Sequence, residues 1–227
     1  DTIDIHGGGA DLEFPHHTNE IAQSEAKTGQ TFANYWMHNG FVNIDNVKMS
    51  KSLGNFITVH DALKTIDGQV LRFFFATQHY RKPINFTEKA VRDAETNLKY
   101  LKNTYEQPFT GEVDPADLQS FVDKFIAAMD EDINAANGIT VVFELAKWIN
   151  SGHYNQDVKD ALTKMLEVFG VVFVEEVLDA DIEALIAERQ EARAKKDFAR
   201  ADAIRDELAA QGIKLLDTKE GVRWTRD

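Results

Sequence analysis

His16 and Glu20 stand four residues apart in the segment PHHTNE. On an α-helix that interval puts two side chains one above the other on a single face. An imidazole nitrogen and a carboxylate oxygen placed that way suit two ligands of one zinc ion, which accepts both donor types. The spacing equally describes a polar helix start facing solvent, the commoner outcome for an arbitrary sequence, and His17 is expected to point elsewhere. Gly7, Gly8 and Gly9 follow a short apolar stretch and permit close backbone approach to a ligand. They lack the spacing of a dinucleotide fingerprint or a Walker loop, so a plain tight turn reads equally well. A third group lies in DNVKMSKSLGNF, residues 45–56, where Lys48, Ser50, Lys51, Ser52 and Gly54 crowd a stretch too polar for a core. Its ammonium groups are of the kind phosphate binding relies on; a polar surface loop has the same composition. His6, His38, His60, His79 and His153 are scattered, and each alone reads as structural. No nucleophile-elbow motif supports a Ser-His-Asp hydrolase.

These residues need elements to hold them. TIDI, residues 2–5, reads as a strand running into the glycines. The stretch after Pro15 reads as a helix with proline near its first turn and Gly29 at its end. NYWMHNGFVNID is rich in aromatic and β-branched residues and reads as strand and turn. After the lysine loop, Thr58 or His60 suggests a helix start and Asp67-Gly68 a break. From FTEKAV onward the pattern is helical, with Val91, Leu98, Leu101 and Tyr105 on one stripe. PFTGEVDPADLQ reads as a long connection. Helical patterns resume at about 117–136, 138–150, 156–168 and 170–177. Residues 181–211 read as one further charged helical stretch, and GIKLLDTKEGVRW as a closing strand-turn-strand.

Composition narrows the class. A chain of 227 residues with 43% hydrophobic content is long enough for a real core. No run of 18 or more apolar residues suggests a membrane span, and the first residues do not resemble a signal peptide. With no cysteine there is no disulfide framework, which fits a reducing cytoplasm. Any metal site in this chain must use His, Asp and Glu. The net charge of −13 speaks at first against a polyanionic partner, but the charge is unevenly spread. Residues 1–105 carry 12 acids and 11 bases, residues 181–227 carry 11 and 10, and residues 106–180 carry 15 acids and 4 bases. Both ends remain open to nucleic acid.

Taken together, HGGGADLEFPHHTNE and KMSKSLGNF resemble cysteinyl-tRNA synthetase, a class I aminoacyl-tRNA synthetase family. Residues 48–52 are that class's signature loop in full form. HDALKTIDGQVLRFFFATQHYRKPINFTE is similar to the family's stem-contact and bundle-entry region, and ARAKKDFARADAIRDELAAQGIKLLDTKEGVRW to its anticodon-recognition module. The resemblance implies an α/β remnant of a Rossmann-type catalytic domain, then a mainly α-helical bundle, then a small α+β module. The expected divisions are 1–57 for the catalytic remnant, 58–110 for stem contact and bundle entry, 111–180 for the tRNA-binding bundle and 181–227 for anticodon recognition. The family's His-Ile-Gly-His signature and its two zinc-binding cysteines belong upstream of the first block. The chain is therefore expected to be the C-terminal portion of a longer, cytoplasmic, monomeric ligase, inactive when isolated.

Roles follow from the resemblance. His16 and Glu20 would give half of a zinc site that binds the cysteine thiolate. Gly9 and Asp11 fall where the class holds the ATP ribose, with His6 at the same pocket. Lys51, aided by Lys48 and Ser50, would stabilise the phosphates of magnesium-bound ATP as pyrophosphate leaves. Arg193, Phe198, Asp202, Asp217 and Trp224 would read the anticodon of tRNA-Cys. Two positions depart from the family's pattern: Thr18 replaces a common Glu, and Phe198 replaces a common Trp while keeping a ring on which a base can stack. Two other functions compete with cysteine–tRNA ligation. One is a tRNA-binding module without catalysis; the other is a relative that joins cysteine to an amino sugar, which would not need an anticodon module.

Overall fold

The computed structural model describes residues 2–173, 180–218 and 221–226. They form two compact units, divided at Phe173 and Val174.

In the first unit, β1 (Ile3–Gly9) and β2 (Ala33–Asn39) pair in parallel, with His6 opposite Trp36 and Gly8 opposite His38. Strand β1 extends through all three glycines. Between the strands lie a 3-10 turn at residues 10–12, a turn at 13–17 kinked at the extended Phe14, and helix α1 (Thr18–Thr28). Gly29, in the left-handed region, caps α1. Strands β3 (Val42–Ile44) and β4 (Val47–Lys48) form a hairpin whose two loop residues, Asp45 and Asn46, both have positive φ. That is the geometry of the tight hairpin turn matched to strand twist, and Asp and Asn are residues that tolerate it. Strand β5 (Ile84–Phe86) pairs with β3 in parallel. The hairpin thus delivers Lys48 at its end into the loop that follows.

Helices α2 (Val59–Ala62), α3 (Gly68–Ala76), α4 (Glu88–Tyr105), α5 (Pro115–Asp130), α6 (Ala135–Asn150) and α7 (Gln156–Val168) complete the unit. Their starts are set by side chains that accept from orphan backbone N–H groups: Thr58, Asp67, Thr87, Asp114, Asn134 and Asn155. The apolar stripe of α4 packs inward: Leu98 and Leu101 are buried, and Val91 and Tyr105 lie against the core. Leu145, Ile149, Leu162 and Leu166 from α6 and α7 fill its centre, and Tyr154 donates its hydroxyl to the Tyr105 carbonyl at 2.6 Å.

Two readings change in this unit. The connection PFTGEVDPADLQ ends early, because Asp114 caps α5 and Pro115 occupies its first turn, where a missing N–H costs nothing. Residues 170–173 are not helical: Gly170 adopts φ +67 and stops the chain after α7. The remainder of the expected 170–177 helix lies outside the described residues.

In the second unit the single helical stretch resolves into α8 (Ala180–Ala194) and α9 (Phe198–Ala210), broken at Lys196 with φ +61 and restarted by the Asp197 cap. Strands β6 (Ile213–Thr218) and β7 (Gly221–Arg226) form an antiparallel hairpin. Ile182, Ile204, Leu208 and Ile213 make its core, with Trp224 packed against them. Among the described residues, no helix is long and apolar enough to cross a membrane.

Candidate active site

The parallel pair β1–β2 and the turn after it gather four histidines, Glu20 and Trp36. His6 Nε2 lies 2.8 Å from Glu20 Oε2 and donates to it. The other carboxylate oxygen, Oε1, lies 3.5 Å from His16 Nε2. His17 turns inward and is only 3% exposed; the chain kinks ahead of it at Phe14, whose backbone is extended (φ −138, ψ 135). Its Nδ1 shares a proton with His38 Nε2 at 2.7 Å, and its ring sits 4.7 Å from that of His6 and 5.2 Å from that of Trp36. Burial, then the neighbouring His6, push the His17 imidazole below its usual pKa. The expectation that His17 points away from this cluster is thereby corrected.

Two arrangements of metal ligands are possible here. His6, His17 and Glu20 each bring one ligand atom to within 4.8 Å of the others. Zinc bonds of about 2.0–2.2 Å at tetrahedral angles place neighbouring ligand atoms roughly 3.4 Å apart. The His16–Glu20 separation of 3.5 Å fits such an edge, whereas 2.8 Å between His6 and Glu20 is a hydrogen bond. His17 Nδ1 is engaged by His38, which leaves its Nε2 as the nitrogen it could offer a metal. The geometry fits His16 and Glu20 as ligands, with His6 orienting the carboxylate from behind.

The glycines matter through closeness. A Cβ on Gly8 would meet His17 Cε1 at 2.9 Å and Leu12 Cδ1 at 3.0 Å; one on Gly9 would meet Asp11 Oδ1 at 2.6 Å. The turn therefore folds its side chains directly over the strand end. Asp11 is in turn reached by Lys48, whose Nζ lies 3.5 Å from Oδ2 and 3.7 Å from the centre of the Phe41 ring. Lys51 is exposed, its Nζ 5.5 Å from the Phe56 ring. Ser50 is tied into the loop, its N–H donating to Asn55 Oδ1 at 2.9 Å and its Oγ lying 3.2 Å from Ser52 Oγ.

The structure thus brings Gly9, Asp11 and Lys48 together, and His16 with Glu20. Asn55, Trp36 and His38 were not singled out as site residues from the sequence; only pairing across strands and loop closure place them here. In the second unit, Arg193 lies in the last turn of α8, Phe198 opens α9 and is 61% exposed, and Asp202 pairs with Arg205 at 3.1 Å. Trp224 packs on the small core rather than standing free. Asp217 sits opposite Val222 in the hairpin register, and its side chain lies outside the described ones.

The sequence matches the class I (C) tRNA synthetase catalytic domain over residues 1–96, the DALR domain over 124–175 and the cysteinyl-tRNA ligase anticodon binding domain over 175–224. It is 86% identical, over its whole length, to the cysteine–tRNA ligase of Streptococcus pneumoniae serotype 4, and 82% identical to that of Streptococcus mutans serotype c. In each case it spans 51% of the relative, so the chain covers about half the length of these curated proteins. Its fold is similar to part of the leucyl enzyme in the LeuRS–tRNA–LeuAMS complex of Agrobacterium radiobacter K84. That likeness has a TM-score of 0.54 at 18% identity, covering 73% of this chain and 25% of the other. The chain belongs to the cysteinyl-tRNA synthetase family.

Proposed function

We propose that the whole protein activates cysteine with ATP and transfers it to tRNA-Cys, and that this chain supplies the signature loop, part of the metal site and the tRNA-contacting modules. The observation that carries the reading is the contact between Lys48 and Asp11, which docks the lysine loop on the turn after β1. A nucleotide bound there meets a carboxylate for its ribose hydroxyls and an ammonium for its phosphates.

In the first step a carboxylate oxygen of cysteine bonds to the α-phosphorus of ATP while the bond to the bridging oxygen breaks. The electron pair leaves with pyrophosphate, so negative charge grows on the departing oxygens. Lys51, exposed and with no carboxylate partner among the described residues, reaches those oxygens and stabilises the transition state more than the ground state. Lys48 anchors the loop through Asp11 and adds a second positive charge. Asp11 accepts from the ribose, and the absence of a side chain at Gly9 lets the nucleotide approach.

His16 and Glu20 would hold zinc, with His6 fixing the carboxylate. A bound zinc ion offers a soft acceptor that prefers the cysteine sulfur to a serine hydroxyl. The exposed face of Phe198, together with Arg193, Asp202 and Asp217, receives anticodon bases, and Trp224 supports them from the core.

The test is cysteine-dependent ATP–pyrophosphate exchange by the full-length protein. Lys51→Ala is expected to lower kcat about 100-fold with little change in the KM for cysteine. An unchanged kcat would remove Lys51 from the chemistry.

A further inference from the structure

One side chain closes the lysine loop without carrying charge. Asn55 Oδ1 accepts from the Ser50 N–H at 2.9 Å, and its Nδ2 donates to the Lys48 carbonyl at 3.3 Å. A single amide therefore fixes the backbone on both sides of Met49, between the two lysines. The rest of the ring is built around that clasp. Gly54 N–H donates to the Lys51 carbonyl at 3.2 Å, which uses the φ of +70 that only glycine adopts readily. Leu53 N–H donates to Ser50 Oγ at 3.3 Å, and Met49 N–H ties the loop to the Val42 carbonyl of β3 at 2.9 Å. Half-buried Asn55 sits inside this ring while the lysines face outward.

We propose, building on the ligase reading above, that Asn55 is a positioning residue for adenylate formation: its side-chain amide holds the Lys48–Lys51 backbone so that the Lys51 ammonium meets the leaving phosphates. The chemistry selects this residue type. The clasp needs one acceptor and one donor on a short stem, which an amide has and an ionised carboxylate does not. Misplacing a charged group by about 1 Å is enough to cost much of its transition-state benefit. An exposed loop with no such clasp would sample many backbone states, only some of which present Lys51 correctly.

The experiment uses the full-length ligase containing this sequence and reads cysteine-dependent ATP–pyrophosphate exchange for Asn55→Ala, Asn55→Asp, Lys51→Ala and the Lys51→Ala/Asn55→Ala pair. Asn55→Ala is expected to lower kcat about tenfold, through loss of two hydrogen bonds, with the KM for cysteine and the thermal midpoint unchanged. Asn55→Asp is also slowed, because its carboxylate cannot donate to the Lys48 carbonyl. In the Lys51→Ala background, adding Asn55→Ala costs less than about twofold, since both changes act through one group. A wild-type kcat for Asn55→Ala would overturn the proposal. So would a full multiplicative loss in the Lys51→Ala background, or a fall in thermal midpoint with a rise in cysteine KM that matches the fall in kcat. The wild-type rate, measured alongside, tests the ligase reading separately.

Discussion

Replacing Gly8 by alanine adds one methyl group, and the structure says what it meets. The new Cβ would lie 2.9 Å from His17 Cε1, 3.0 Å from Leu12 Cδ1 and 3.2 Å from His17 Nε2. Leu12 can rotate aside. His17 cannot, because it is buried, hydrogen-bonded to His38 and flanked by the rings of His6 and Trp36. Overpacking of this kind costs about 1–3 kcal/mol. Against it stands the loss of glycine's freedom in the unfolded chain, worth about 0.4–1 kcal/mol in favour of alanine wherever the backbone accepts it. The Gly8 backbone is outside the left-handed region, so that gain applies. The net expectation is destabilisation of about 1–2 kcal/mol. Gly68 supplies the control. It opens α3, is exposed, and an added Cβ would find only Leu63 Cδ2 at an ordinary 3.6 Å. Gly68→Ala should therefore stabilise by about 0.4–1 kcal/mol. Urea titrations of both variants, compared by midpoint at constant slope, give the answer. Stabilisation by Gly8→Ala equal to that by Gly68→Ala would refute the wedged placement of His17.

Two further predictions concern residues outside the loop. Asp132 is held down to about 2, chiefly by the hydrogen bond from Arg81 and then by that from Tyr80. Its contribution to stability is complete above its ordinary value near 3.8 and is lost as pH falls through about 2. Asp132→Asn keeps a residue that tolerates the positive φ at this site, so its stability gap from wild type should close between pH 4 and about 2; a gap constant across that range would show that the carboxylate charge is not responsible. For the anticodon module, Phe198→Ala should weaken tRNA binding by roughly 1–3 kcal/mol, the value of one stacked base, while Phe198→Trp retains it. Equal binding by all three proteins in a filter assay would remove Phe198 from the interface.

Much of this arrangement can be read from local chemistry. Thr58 before Asp61 reads as a helix start and caps α2, and Gly29 ends α1. Other signals are ambiguous on their own. Asp67-Gly68 looks like a break, yet the Asp67 carboxylate accepts from Gln69 and Val70 and so begins a helix instead. The inward turn of His17 escapes a helical wheel, because the wheel does not say which face the kink at Phe14 turns toward β1 and β2. The links that make the site are long-range. Lys48 meets Asp11, His17 meets His38, and His6 meets Glu20 only because β1 and β2 pair in parallel and the hairpin carries the loop back over the turn. Spacing along the chain carries no trace of these contacts. Asn55 was legible only as part of the signature stretch; its clasp required the folded loop.

The whole protein is proposed to attach cysteine to its tRNA. The most direct measurement is charging of purified tRNA-Cys by the full-length protein, supplied with ATP, magnesium and each of cysteine and serine in turn. The expected result is acid-precipitable product with cysteine, little with serine, and a rate that collapses in Lys51→Ala. No charging with cysteine, or charging with serine at a similar rate, would contradict it.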